Sequence, residues 1–211
     1  MQCNRIQIIL HVDKKSKIMV ISSPNRYSKN NLDVIKVSSD SKINLKRFIN
    51  NGQIQIYQSS YRGSYSSIIS DSLRNAALGR KVLLVQLMKG GVNQGITNAI
   101  KLCGNLTWIR SSHSFDQYNS EEIEKNETLK ESIHESTYEL WKFCKNELLS
   151  GENDLIILDE IFLAIEMKII DKDDLISTLE NRFISGDVIL TGTDIPKDLL
   201  LMANQITELR S

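Results

Sequence analysis

The sequence has few cysteines and no long apolar run. Cys3, Cys103 and Cys144 lie far apart, without a CxxC pair or a Cys/His cluster, so the pattern indicates neither a disulfide framework nor a zinc site. We expect these cysteines to be buried free thiols. No apolar run reaches the length of about 18 residues that a membrane span needs, so no span is predicted.

The sequence also lacks an excess of charge of either sign, because 26 basic residues balance 26 acidic ones. This balance does not favour a large nucleic-acid footprint or general binding to anionic membranes. The first residues include a short apolar stretch but no small-residue cleavage site, so we expect no signal peptide. A cytoplasmic protein is the expectation that remains.

The length of 211 residues suits one domain with a small appendage. Residues 1–52 read as a β-rich extension, since β-prone runs at 5–12 and 17–22 flank a polar cluster typical of a turn. This extension has too few apolar residues to fold alone. We expect it to pack on the main domain, residues 53–211, or on a protein partner.

From residue 53 onward the apolar pattern alternates between strands and helices. Gly79 fits the end of the first helix, and the nearly all-apolar segment at 81–88 suits a parallel strand buried on both faces. Such alternation predicts an α/β fold with a mainly parallel sheet flanked by helices. The loop and the acids described next favour a three-layer core of the P-loop NTPase (RecA-like) type for this fold. The predicted strands are 53–58, 81–88, 106–109, 154–159, 187–190 and 205–209, and the predicted helices are 65–78, 120–149, 171–182 and 196–203.

The loop after the first strand stands where a P-loop protein binds phosphate. In such a loop, glycines let backbone N–H groups wrap the phosphates, a lysine neutralises them, and the helix N-terminus adds its dipole. This loop keeps one glycine and has one arginine as its only cation. Its serines and arginine are candidates for anion binding, and a turn that binds nothing is the alternative. The candidate phosphate-binding residues are Ser59, Ser60, Arg62, Gly63, Ser64 and Ser66.

Two acids, Asp159 and Glu160, follow the buried apolar segment at 155–158. In P-loop enzymes, an acid at the carboxyl end of such a strand holds Mg²⁺ or acts as a catalytic carboxylate. We therefore predict Asp159 as a metal ligand and Glu160 as a catalytic carboxylate. A strand end that caps the next helix is the alternative.

Two further segments follow strands and are expected to line the same crevice. Lys89 and Gly90 begin a glycine-rich stretch whose backbone can approach a ligand closely. His113 and Phe115 lie in the serine-rich loop after the third strand. A flexible loop and a solvated loop are the respective alternatives. Together with Gln86, these residues are predicted to form a ligand crevice.

Four segments carry a family resemblance. Residues 72–82, SLRNAALGRKV, resemble the family segment ALRA…G.GKKV, and residues 85–90, VQLMKG, resemble VVQFIKG. Residues 155–160, LIILDE, resemble VVLDE, while VILTG at 188–192 and ANQITELR at 203–210 resemble VIITG…AD.VSEL. The family is the P-loop type of ATP:corrinoid adenosyltransferase, and the resemblance covers nearly the whole predicted core.

The resemblance implies transfer of the 5′-deoxyadenosyl group of ATP to the reduced cobalt of a corrinoid, which leaves triphosphate. ATP, Mg²⁺ and a corrinoid are then the implied cofactors and small-molecule partners, and a homodimer is the implied assembly. The family's phosphate loop, GNGKGKTT, falls on residues 59–66. Its essential lysine falls on Ser64 and its Mg²⁺-binding hydroxyl on Tyr65, while Arg62 stands at its earlier lysine.

Different functions remain open from the sequence. The family pattern is kept at both acids and in the crevice, which favours a homologue that binds a nucleotide or corrinoid with residual transferase activity. The absent loop lysine favours a non-catalytic nucleotide- or protein-binding module instead. An enzyme that uses the crevice for another ligand is a third alternative. The matching positions are Gln86, Lys89, Gly90, Asp159 and Glu160.

Overall fold

Strands and helices alternate through the computed structural model, which describes residues 51–62, 66–113, 115 and 126–209. The strands are β1 (Ile54–Ser59), β2 (Val82–Gly90), β3 (Ile100–Leu102), β4 (Leu106–Ser111), β5 (Leu155–Asp159), β6 (Asp187–Gly192) and β7 (Gln205–Leu209). The helices are α1 (Ser66–Ala77), α2 (Glu127–Ser150), α3 (Ile161–Glu166), α4 (Lys172–Asn181) and α5 (Lys197–Met202), with a 3₁₀ turn at Ile96–Asn98.

The strands form one sheet in the order β3-β4-β2-β5-β6-β1-β7. Strand β1 pairs in parallel with β6 and β7, β2 pairs in parallel with β4 and β5, and β5 pairs in parallel with β6. Strand β3 runs antiparallel to β4. The predicted α/β fold with a mainly parallel sheet is confirmed. Because the paired strands from β4 to β7 are parallel, their carboxyl ends lie along one edge of the sheet.

Alternate residues of the central strands enter two different apolar layers. On β2, Leu83 and Val85 pack in the layer that contains Trp141 of α2 and side chains of α3, α4 and α5. Leu84, between them, packs in the layer that contains Ile68 of α1. This period of two is the geometry of a strand, and burial on both faces is what a parallel sheet requires. The three-layer arrangement is therefore also as predicted.

Some elements differ from the prediction. The 3₁₀ turn, β3 and α3 were not predicted, because each is only three to six residues long and lacks a full period of apolar spacing. Helix α2 begins at Glu127 rather than near residue 120. The side chain of Asn126 caps it by accepting a hydrogen bond from Leu129 N at 3.1 Å. Residues 120–125 lie outside the described part of the chain.

The cysteines are only partly as expected. Both Cys103 and Cys144 are free, and Cys144 is buried. The expectation of burial is wrong for Cys103, which is exposed in the turn between β3 and β4 with a φ of 50°. Burial raises the pKa of the Cys144 thiol above its ordinary value. Cys3 lies outside the described residues.

The N-terminal extension, residues 1–52, falls almost entirely outside the described ranges, so its β-rich character and its boundary stay predictions. In the described ranges, no helix combines the length and the apolar character needed to cross a lipid bilayer.

Candidate ligand site at the carboxyl edge of the sheet

One row of side chains near the carboxyl edge is polar across the sheet. The strand register aligns Arg110 of β4 and Asp159 of β5 with Gln86 of β2 between them. Further along the sheet, Thr191 of β6 is aligned with Tyr57 of β1. The preceding row on the same face is mostly apolar and belongs to the layer under α1. Neighbouring positions on one face of a strand are two residues apart. Over that distance, this face of the sheet therefore changes from apolar core to polar site.

Asp159 is buried in this polar row, with 2% of its surface exposed. Its Oδ1 accepts a hydrogen bond from Thr191 Oγ1 at 2.7 Å, and its Oδ2 accepts from Gln86 Nε2 at 2.7 Å and Lys89 Nζ at 3.1 Å. The amide of Gln86 is oriented in turn by Trp108, whose Nε1 donates to Gln86 Oε1 at 3.1 Å. Asp159 is thus held by neighbours on the strands to either side of β5.

Glu160 follows β5 in a left-handed backbone conformation, with φ 62° and ψ 29°. For a residue with a Cβ this region costs roughly 1–2 kcal/mol, and such strain persists where the surroundings hold it. Here the backbone N–H of Glu160 donates to Thr191 Oγ1 at 2.8 Å. The residue is buried, with 1% of its surface exposed, so its carboxylate has a fixed position at the edge of the sheet.

Arg62, in the loop after β1, binds the carboxylate of Glu160 with two parallel hydrogen bonds. Nε lies 2.8 Å from Oε1 and Nη2 lies 3.0 Å from Oε2. Nη2 also donates to the carbonyl oxygen of Met88 at 2.8 Å, and Nη1 donates to the carbonyl oxygen of Phe115. The guanidinium lies over the Phe115 ring, 5.3 Å from its centroid. One side chain therefore ties together β2, the end of β5 and two loops.

Lys89 completes this arrangement, because its Nζ lies 3.6 Å from Glu160 Oε1 as well as 3.1 Å from Asp159 Oδ2. We call Arg62, Lys89, Asp159 and Glu160 the charged network. Its two cations and two carboxylates balance each other. The two acids are enclosed, while the side chains of Arg62 and Lys89 are 15% and 24% exposed.

The structure thus brings together six of the predicted site residues, which came from four separate segments of the sequence. Strand ends and the loops that follow them supply all six, as expected for the carboxyl edge of a parallel sheet. Their predicted roles in binding phosphate, metal or substrate stay predictions. The six residues are Arg62, Gln86, Lys89, Phe115, Asp159 and Glu160.

Other predicted residues do not take part in the described contacts of the network. Ser59 is buried and its Oγ accepts from Tyr61 N at 3.4 Å, whereas Ser60 is exposed and Ser66 begins α1. His113 makes local contacts, with its Nδ1 3.2 Å from the Oγ of Ser112. Predictions for Gly63 and Ser64 fall outside the described residues.

Two side chains of the site were missed by sequence reasoning. Thr191 binds both acids. The sequence did contain a signal for this residue, since Thr191 is a polar residue that ends the apolar run VIL one residue before Gly192. Trp108 of β4 is not among the predicted site residues, and it is partly buried. A partly buried indole N–H usually finds an acceptor, which here is Gln86.

The fold and the site define a P-loop-like α/β protein with paired acids after a central strand. The family model described as ATP:corrinoid adenosyltransferase BtuR/CobO/CobP matches residues 50–211. The chain belongs to this family.

Curated relatives are similar at low identity. The corrinoid adenosyltransferase of Escherichia coli (strain K12) is 24% identical over 160 residues, which are 75% of this chain and 76% of that protein. The corrinoid adenosyltransferase CobA of Salmonella typhimurium is 22% identical over the same shares of the two chains. An uncharacterized protein of Nostoc is 23% identical over 170 residues, which are 75% of this chain and 44% of that protein. The match is therefore broad but divergent, as predicted.

Proposed function

We propose that the chain binds a nucleotide or a corrinoid at the carboxyl edge of its sheet and transfers the adenosyl group slowly or not at all. Family membership supports an adenosyltransferase-like function. The observation that carries the proposal is the charged network, in which Arg62 is bound to Glu160. Arg62 is the one cation within residues 59–66.

Weak binding of triphosphate follows from the charge of this site. The cations of the charged network already neutralise its two acids, so little positive charge is left for an anion. Position 64 is serine where the family has its essential lysine, and position 65 is tyrosine where the family has its hydroxyl. Charge-assisted hydrogen bonds are the strong contacts to phosphate, and the lysine that would make them is replaced by Ser64.

Slow transfer follows from the same features. As the bond between cobalt and C5′ forms, the bond between C5′ and the triphosphate oxygen breaks, and the leaving triphosphate gains charge. Preorganised cations that stabilise such developing charge commonly contribute more to catalysis than any other single effect. Arg62 and Lys89 are the described cations of the charged network that would face this leaving group. Arg62 can do so only after it leaves Glu160.

The two acids do not fit a metal ion in their described arrangement. Mg²⁺ is usually bound by one or two carboxylates together with phosphate oxygens and waters. Both oxygens of Asp159 accept hydrogen bonds from protein donors, and the carboxylate of Glu160 is bound by Arg62. The role of Asp159 as a metal ligand stays a prediction, and no step of this proposal depends on Mg²⁺.

A second candidate function is a non-catalytic binding module. The mutual neutralisation of the charged network favours it, because the site is electrostatically balanced without a ligand. In this version the partner is a protein bound through the N-terminal extension. The homodimer and the cytoplasmic location belong to both versions as predictions.

Titration calorimetry with ATP and with hydroxocobalamin tests the proposal. We expect measurable binding of at least one of them. For ATP we expect a dissociation constant of roughly 0.1–1 mM, at the weak end of the usual range for enzyme substrates. Replacing Arg62 by alanine should abolish ATP binding, because Glu160 would then face the phosphates with only Lys89 nearby.

The matched control is Arg74→Ala on α1, where the arginine is 71% exposed and paired with Asp71. This variant should bind both ligands like the wild type. Absence of both ATP and cobalamin binding at millimolar ligand would contradict the proposal and favour the binding module.

A further inference from the structure

The guanidinium of Arg62 is almost fully committed inside the protein. An arginine has five N–H donors, and Arg62 uses four hydrogen bonds, two to Glu160 and two to the carbonyl oxygens of Met88 and Phe115. The paired geometry with a carboxylate is the same geometry that arginine offers to phosphate. Glu160 therefore occupies the face of Arg62 that a phosphate would use.

Of the two partners, Glu160 is the one that is fixed. Its side chain is 2% exposed, its backbone N–H is bound to Thr191, and its left-handed conformation is set by the junction of β5 and α3. Arg62 lies in a loop and its side chain is 15% exposed. Opening the pair therefore means moving Arg62 away from a carboxylate that stays in place.

We infer that Glu160 is a specificity-determining residue that competes with phosphate for Arg62. While Arg62 and Glu160 are paired, the site binds polyanions such as triphosphate poorly. It then favours ligands of low charge, such as a nucleoside or a corrinoid without free phosphate. The inference rests on the proposed function, since it concerns which ligands that same site accepts. It also gives the acid at position 160 a role that requires no metal.

Removal of the carboxylate charge should convert the site into an anion site. In Glu160→Gln, the amide keeps the shape of the side chain, but Arg62 and Lys89 then face one carboxylate instead of two. One positive charge in an enclosed place is left uncompensated, and this favours an incoming anion. The affinity for inorganic tripolyphosphate should rise at least about tenfold, as expected for one hydrogen bond between charged groups.

Calorimetric titration of the full chain with tripolyphosphate provides the measurement. The control is Glu152→Gln, which removes the same charge from an exposed pair with Lys81, 3.3 Å apart, and should leave the affinity unchanged. In the double variant Arg62→Gln/Glu160→Gln the gain should disappear, because the arginine released by the first change is gone.

Thermal unfolding shows first whether Glu160→Gln folds. If it does not, Glu160→Asp serves, since the shorter acid keeps the charge but cannot hold both hydrogen bonds, and a gain of about threefold is expected. A folded variant at position 160 that binds tripolyphosphate no tighter than wild type overturns the inference, and so does a full gain in the double variant. Wild-type protein that binds neither ATP nor hydroxocobalamin instead contradicts the proposed function.

Discussion

Gly90 sits where β2 passes very close to the end of β4. A Cβ at this position would overlap the carbonyl oxygen of Ser111 and lie 2.6 Å from its carbonyl carbon. At Gly91, the next residue, no described atom lies within 4 Å of such a Cβ. The close approach of the two backbones is therefore enough to explain the glycine at position 90. Its place in a ligand crevice stays a prediction.

We expect Gly90→Ala to lower the free energy of unfolding by about 3 kcal/mol, because the two strands must separate to admit the methyl group. Gly91→Ala is the matched control and should change stability by less than about 1 kcal/mol. Urea denaturation of the two variants measures both values. Equal stability of the two variants would show that the close approach does not limit residue 90.

Most residues of the charged network could be found from the sequence, but their pairing could not. Asp159, Glu160 and Lys89 follow apolar runs and so were expected at strand ends. Arg62 was expected to face a phosphate, and only the structure places it on Glu160. Which charges meet across a gap of 98 residues depends on how loops close, and no local pattern encodes this.

Between elements, α2 and α4 are joined by a small polar contact at Asp174. Its Oδ2 accepts from Trp141 Nε1 at 2.8 Å, and its Oδ1 accepts from Lys145 Nζ at 2.6 Å. Burial acts to raise the pKa of Asp174, but the hydrogen bonds from both neighbours and the charge of Lys145 hold that pKa below its usual value. The contact is therefore stronger when the carboxyl is ionised.

The contribution of Asp174 to the free energy of unfolding should depend on pH in a defined direction. Since its folded-state pKa is lowered, the stabilisation is present above the unfolded value of about 3.9 and is lost as the pH falls through the folded value. We expect Asp174→Asn to be less stable than wild type by about 1 kcal/mol at pH 7, a size typical of partly exposed pairs. This difference should shrink in acid.

Urea denaturation at pH 7 and near pH 3 checks this expectation. The control is Asp173→Asn in the same first turn of α4, where the side chain is 85% exposed and 3.8 Å from Lys172. A deficit of Asp174→Asn that stays constant between the two pH values would contradict the assigned cause.

The long elements could be predicted and the short ones could not. Strand β7 has the predicted bounds, β5 begins one residue later than predicted, and α4 is one residue shorter than predicted at each end, because each has a clear apolar period and a clear stop. Helix α3 is six residues long, so it shows no period of its own. It forms because its four buried apolar residues, Ile161 to Ala164, meet the sheet, which is a tertiary cause.

At the scale of the whole molecule, the family match covers the predicted core domain but almost none of the N-terminal extension. The match begins at residue 50, near the predicted domain boundary. Residues 1–52 are the segment that we expected to pack on the main domain or on a protein partner. The family resemblance implies that both acids are kept while the loop after β1 differs, with Ser64 and Tyr65 at the positions of its lysine and its hydroxyl, and function is decided in such sites rather than by the fold.

The rate of adenosylcobalamin formation from ATP and cob(I)alamin, followed by absorbance, tests the central claim most directly. The Escherichia coli relative serves as the reference, and the variant Ser64→Lys/Tyr65→Thr restores the loop residues of the family. We predict a wild-type rate at least about a hundredfold below the reference, and at least about a tenfold gain in the variant, as expected for one or two charged contacts to the leaving triphosphate. A wild-type rate equal to the reference would contradict the claim.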